Sequence, residues 1–332
     1  MTEKSVFHSK VPGEKNVPRR LSGGIKTLAG KLLRRFDPVP WWGAKRDATK
    51  SADAEKSHVI PSANEPIPIY SPLRWQFSEE PTADSRFIKL ILLAANHRAG
   101  STLLQRICNS RKKTLIWGEH NAALRNFASI YVDACQYCVT AGDERESYFS
   151  QGEDSNLWIA SMNPEVEYLQ RAVINSARVF LRTFYGQYQK NHDILGFKEV
   201  RYGYNELALL RRCYPEAQIL LLIRNPINTW KSTPRAWYAS LDDWINKWNS
   251  LVKCFRSFAS NDSRCHLLRY EDLIQKDAET MEIVGDAAKI SLHQIEMVLA
   301  NKVGGRKGEI DESDRKKIGE RCREAMEALG YI

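Results

Sequence analysis

The chain has 332 residues, 43% of them hydrophobic, with seven cysteines and a formal net charge of +9. That suits one α/β domain with appendages, and no apolar run approaches the roughly 18 residues that a membrane-spanning helix needs. Seven cysteines without paired spacing argue against a disulfide scaffold and for reduced thiols in a cytoplasmic compartment, and the opening MTEKSVFHSK lacks the apolar core of a secretory signal.

The charge is unevenly spread. Residues 1–60 hold thirteen Lys/Arg against six Asp/Glu, so they carry +7 of the +9 and the rest of the chain is close to neutral. Residues 1–70 read as a basic N-terminal extension, mostly disordered, ahead of a folded domain at 71–332. Within 20–36, Leu21, Ile25, Leu28, Leu32 and Phe36 share one helical stripe, with Lys26, Lys31, Arg34 and Arg35 largely off it. Asp37-Pro38 ends the pattern and Trp41-Trp42 follow, so 20–42 suits a membrane surface, with the protein cytoplasmic and peripheral. Two plainer readings stand beside it: a helix docked on its own domain, or a linker weakened by Gly23 and Gly24.

Ile88–Ala95 is a short apolar run, the length of one buried parallel strand. His97 to Gly100 form a compact turn, and Ser101 caps a helix carried by Leu103, Leu104 and Ile107. Thr114–Gly118 is a second strand, ending in Glu119 and His120. Helices follow at 121–139 and 164–190, separated by a polar stretch, 141–156, expected to be a mobile loop over a cleft. Ile194–Val200, Gln218–Arg224 and Cys265–Arg269 complete the strands, with helices at 205–213, 240–260, 271–283, 291–299 and 313–329. Strands alternating with helices predict an α/β fold, a doubly wound parallel sheet flanked by helices and resembling P-loop proteins.

Ligands of such sheets bind beyond the carboxyl ends of the strands, which gathers Arg98, Glu119, Lys198, Arg201, Arg224 and Tyr270. Strand, tight turn and helix N-terminus make an anion-binding loop. A nucleoside-triphosphate loop would read GxxxxGK[ST]; here its Lys and its first Gly are missing, and Arg98 stands inside the loop instead. A second basic feature, Arg224-Asn225-Pro226, opens a helix directly after a strand, with Ser232 two turns on. Cys135 and Cys138 lack further ligands, so no metal site is expected. Trp230, Trp237, Tyr238, Trp244 and Trp248 read as helix packing plus a substrate wall, and without a basic stripe they do not suggest nucleic-acid binding.

RAGSTLL resembles the 5′-phosphosulfate loop (R-x-G-[ST]-T-x-L) of sulfotransferases that use 3′-phosphoadenosine 5′-phosphosulfate, PAPS. LLIRNPINTWKS resembles the same family's 3′-phosphate motif, and the likeness covers roughly residues 87–310. Motif spacing is closest to the tyrosylprotein and carbohydrate branches; the His motif of the cytosolic small-molecule branch is not found. The resemblance implies PAPS as co-substrate without a metal, its 5′ end held by Arg98, Ala99, Gly100, Ser101, Thr102 and Leu103. It implies Arg224 and Ser232 at the 3′-phosphate, Tyr270 of YEDL beside the adenine, and Arg306-Lys307-Gly308 closing over the phosphate. Two basic clamps suit a bisphosphorylated nucleotide.

Lys198 of GFKEVR would assist the leaving group, and Glu119, twenty-one residues after Arg98, would be the general base. His120 is its rival; if TLIWGEH is extended, only one of the two faces the cleft. The expected function is sulfuryl transfer to a hydroxyl or amine of a sugar, lipid, peptide or small molecule. The alternatives are a P-loop kinase or NTPase, or a non-catalytic membrane-associated protein on a sulfotransferase scaffold.

Overall fold

Five mostly apolar runs pair into one sheet, the three central ones buried on both sides and the two edge strands partly so, because a buried backbone is satisfied only through neighbouring strands. In the computed structural model they are β1 (Leu90–Ala94), β2 (Thr114–Trp117), β3 (Ile194–Glu199), β4 (Gln218–Ile223) and β5 (Cys265–Arg269). All pairings are parallel and the order is β2-β3-β1-β4-β5. The structure describes residues 84–140, 142–301 and 308–332. The basic extension, its 20–36 helix pattern, Trp41-Trp42, Arg306 and Lys307 lie outside the described residues.

The helices are α1 (Ser101–Cys108), α2 (Leu124–Thr140), α3 (Gly142–Ser150), α4 (Val166–Tyr185), α5 (Tyr204–Cys213), α6 (Pro226–Ser232) and α7 (Leu241–Asn261). After β5 come α8 (Tyr270–Gln275), α9 (Ala278–Ala288), α10 (Leu292–Ala300), α11 (Glu312–Arg321) and α12 (Arg323–Glu327). Alternation along β1 assigns the faces: Ile91 and Leu93 join Leu124, Leu181, Leu210, Trp244 and Phe255 on one side. Leu90, Leu92 and Ala94 join Leu104, Ile107, Val284 and Ile295 on the other. The crossover from β1 to β2 runs opposite to the three that follow, so its helix α1 must lie on the opposite face if every crossover is right-handed. The two cores have this distribution.

Gly196 fills the tightest place between strands. A Cβ there would overlap the Leu90 carbonyl oxygen, so only glycine lets β3 lie at this distance from β1. Among the described residues no helix is long and apolar enough to cross a membrane.

Three local expectations need correction. The polar stretch 141–156 contains a helix, α3, rather than a loop throughout. It has no buried residue and hence no apolar period to read; Asp143 and Glu144 in its first turn and the Arg145–Asn163 carbonyl bond (2.7 Å) hold it instead. Ser101 is the first residue of α1, not its cap: Gly100 occupies the cap position with φ 98°, and no side chain bonds the helix end. The single helices expected at 271–283 and 313–329 are each broken in two, the first at Lys276 with φ 59°.

Candidate active site

The crossovers leaving β1 and β4 lead to opposite sides of the sheet, so the loops after β1, β3 and β4 border the crevice where such sheets bind ligands. The β1 loop is curled by left-handed backbone at Arg98 (φ 70°) and Gly100 (φ 98°). A left-handed arginine is uncommon and costs free energy, a cost the surrounding contacts must offset. Gly100 is obligatory for a second reason: a Cβ there would overlap the Tyr270 ring, which comes from the end of β5 and closes on the loop. Among the described residues, the backbone N–H groups of Gly100, Ser101 and Thr102 donate to no protein acceptor. Together they form an unpaired donor set at a helix N-terminus, chemistry that suits an anion.

Arg224 stands at the end of β4 and ties three strands' loops together. Its Nη1 donates to the Arg98 carbonyl (3.0 Å), and its guanidinium lies 4.4 Å from the centre of the Tyr270 ring. Its Nε is buried and has no hydrogen-bond partner among the described residues, an orphaned donor that calls for an acceptor. Asn225 starts α6 properly: its side chain accepts from the Ile227 (3.0 Å) and Asn228 (3.3 Å) N–H groups, with Pro226 in the first turn. The Asn225 N–H donates to Glu271 (3.1 Å), whose other oxygen accepts from the Tyr331 hydroxyl (3.0 Å), so the C-terminal residues brace this turn. Ser232 turns its hydroxyl back on the Asn228 and Thr229 carbonyls and would have to rotate to serve a ligand. Gly308 lies so close to the Lys231 carbonyl that a Cβ would overlap it, which brings the chain just after Arg306-Lys307 to the end of α6.

The other half of the crevice is an ion-pair network at the ends of β2 and β3. Lys198, whose side chain is 7% exposed, donates to Glu119, and Arg201 donates to the second Glu119 oxygen at 2.8 Å. Arg201 also bonds Glu199 at 2.7 Å. Glu199 is fully buried and accepts as well from the N–H groups of Ala122 and Val200, both at 2.8 Å, fastening the β2 loop to β3. Burial pushes the Glu119 carboxyl up, but the bonds and charges of Lys198 and Arg201 outweigh it and hold it below its ordinary value.

His120 points elsewhere. Its Nδ1 is bonded to the Tyr185 hydroxyl at 2.7 Å, its Nε2 to the Tyr202 hydroxyl, and its ring packs edge-on against Phe197 at 5.0 Å. Burial, and less strongly the charge of Arg201, depress its pKa against the opposing pull of Glu199. With both nitrogens engaged it is a structural pin between β2, α4 and β3.

Arg98, Gly100, Arg224 and Tyr270 thus meet around one loop, while Glu119 and Lys198 meet beside it, and His120 faces away from both. The residues that went unassigned are Glu199, Tyr185, Tyr202, His97 and Lys247. Glu199 carried the one legible signal, a carboxylate beside Lys198 at the end of a mostly apolar strand. Tyr185 and Tyr202 gave none, because they act from 65 and 82 residues away. His97, within the β1 loop, sits 5.2 Å from the Trp237 ring and 3.5 Å from the Tyr238 hydroxyl, forming a wall beside Glu119. Trp230, Trp244 and Trp248, by contrast, are core residues. Among the described residues no group of three His, Cys, Asp or Glu is placed to hold a metal ion.

Comparison with known proteins gives this crevice its context. Two solved structures are similar to this chain at low identity. A sulfotransferase domain from the curacin biosynthetic pathway is 16% identical over 74% of this chain and 99% of its own, with a TM-score of 0.43. Sulfotransferase STF9 from Mycobacterium avium is 10% identical over 74% of this chain and 78% of its own, with a TM-score of 0.39. No curated protein sequence matches significantly. The model of the sulfotransferase family, however, matches residues 91–294, from the first strand past the fifth and including every described part of the crevice up to α10. On that match, over more than half its length, the chain belongs to the sulfotransferase family.

Proposed function

We propose that the protein transfers a sulfuryl group from PAPS to a hydroxyl or amine acceptor. The observation that carries this reading is the meeting of two basic features on one loop: Arg224, from the R-N-P turn, bonds the Arg98 carbonyl of the β1 loop. A nucleotide with phosphates at both its 3′ and 5′ ends matches that pair, and the unpaired donors fit it. The free N–H groups of Gly100, Ser101 and Thr102 suit the 5′ end, and the orphaned Arg224 Nε, with Ser232 after rotation, suits the 3′-phosphate.

The donor supplies an activated sulfuryl group and departs as adenosine 3′,5′-bisphosphate. A bond forms from the acceptor heteroatom to sulfur, the bond from sulfur to the bridging oxygen breaks, and the acceptor's proton passes to Glu119. Lys198 sets the timing. While it and Arg201 grip Glu119, that carboxylate is a weak base. An anionic leaving group competes for the Lys198 ammonium, and as Lys198 turns toward it Glu119 gains basicity. The same charge stabilises the phosphate as it departs. Most of the acceleration is then positioning and electrostatics, as in phosphoryl transfer.

The experiment is thermal stabilisation by adenosine 3′,5′-bisphosphate, compared with ATP plus Mg²⁺. The bisphosphate is expected to raise the melting temperature by several degrees and ATP with Mg²⁺ by much less. The reverse order would favour a kinase or NTPase.

A further inference from the structure

Lys247, on α7, is a half-buried cation bordering the crevice with no anionic partner among the described residues. Lys198 and Arg201, by contrast, share Glu119, Arg201 also holds Glu199, and Arg125 pairs with Glu206 at 3.2 Å. The Lys247 ammonium lies 5.7 Å from the centre of the Tyr238 ring, and Tyr238 in turn reaches His97 and Asn96, each at 3.5 Å. Lys247 therefore stands over the aromatic wall that Tyr238 forms with His97.

A half-buried ammonium with no counter-charge is unfavourable, and two further cations make it more so. Burial first, then Arg125 and Arg201, push the Lys247 pKa down, and Glu199 only partly opposes them. His97 experiences the same field: burial, Arg201 and Lys247 depress it against Glu119 and Glu199. Such an arrangement is stable enough to persist in a folded protein, yet it gains when an anion arrives.

We infer that Lys247 is an acceptor-recognition residue: the acceptor carries an anionic oxygen group, carboxylate or phosphate, which pairs with Lys247 while its nucleophile reaches Glu119 along the Tyr238 wall. This rests on the sulfuryl-transfer reading for the identity of the second substrate. The subsite itself is a property of Lys247, Tyr238 and Arg201. Neutral acceptors would leave Lys247 unpaired and be taken less well.

Calorimetric titration of the whole protein with benzoate, phenyl phosphate and uncharged benzamide tests this, with and without saturating adenosine 3′,5′-bisphosphate. At least one of the two anions is expected to bind, and which one identifies the group. Lys247→Met should weaken that anion by about tenfold or more, Lys247→Arg should retain it, and benzamide should not distinguish the three proteins. Unchanged bisphosphate affinity in Lys247→Met would show that the fold is intact. If neither anion binds, or if the anion binds Lys247→Met as well as the parent, the subsite does not exist. If the bisphosphate fails to bind, the nucleotide reading falls, and the titrations without it still decide the role of Lys247.

Discussion

Arg224→Ala is expected to weaken adenosine 3′,5′-bisphosphate binding by about 10- to 100-fold, the worth of a charge-assisted phosphate contact removed from a partly buried site. Adenosine 5′-phosphate, which lacks the 3′-phosphate, should lose much less. The preference of the parent protein for the bisphosphate would then largely disappear in the variant. Part of the loss comes indirectly, because Arg224 also holds the Arg98 carbonyl and covers Tyr270. Calorimetry with both nucleotides separates the two effects. Equal losses for both nucleotides would mean that Arg224 only shapes the β1 loop. No loss for either would remove it from the nucleotide site altogether.

Glu119→Gln should behave in the opposite way. Glutamine keeps the size and can still accept from Lys198 or Arg201, so nucleotide affinity should change little, while turnover falls by about 10²- to 10⁴-fold, the usual contribution of a general base. The pH dependence follows from the direction of the Glu119 shift. Its carboxyl is held below its ordinary value of 4.5, so in the free enzyme it is ionised and able to take a proton throughout the neutral range. Its contribution disappears only as the pH falls through that depressed value, so the acidic limb of kcat/KM in the parent should lie below 4.5. If Glu119→Gln kept full activity, the proton would have to go elsewhere. His97 would be the next candidate, because both nitrogens of His120 are held by tyrosines.

The parts of the molecule that were legible in the sequence are those whose cause is local. A parallel strand buried on both faces must be largely apolar, as the central strands β1 and β4 are and as β3 is up to Lys198. The β1 loop was readable because strand, turn, glycine and helix start lie within a dozen consecutive residues. The cap was misassigned because serine is the commoner choice, whereas here the Tyr270 ring leaves room only for glycine. Helix α3 was missed because its hydrogen-bond partners at Ser161 and Asn163 come from a later loop and it buries no apolar face.

An extended TLIWGEH would send Glu119 and His120 to opposite sides, but β2 ends at Trp117, and the sequence could not say which of the two would meet Lys198. That depended on Tyr185 and Tyr202, which gather round His120 only when α4 and β3 pack together. Lys247 was illegible for the same reason. On α7 it reads as one more charged residue among Asp242, Asp243 and Lys253, and its lack of a partner emerges only when Tyr238 and Arg201 are brought beside it.

The central claim is that the Arg98 loop and the Arg224 turn serve a single PAPS molecule and pass its sulfuryl group on. Incubating the parent protein with sulfur-labelled PAPS and a mixture of host metabolites, in the presence of excess EDTA, tests it most directly. Label should move into an acceptor, with adenosine 3′,5′-bisphosphate released in equal amount and the rate unaffected by chelation. Label that stays on PAPS under these conditions, while terminal-labelled ATP with Mg²⁺ is turned over, would contradict it.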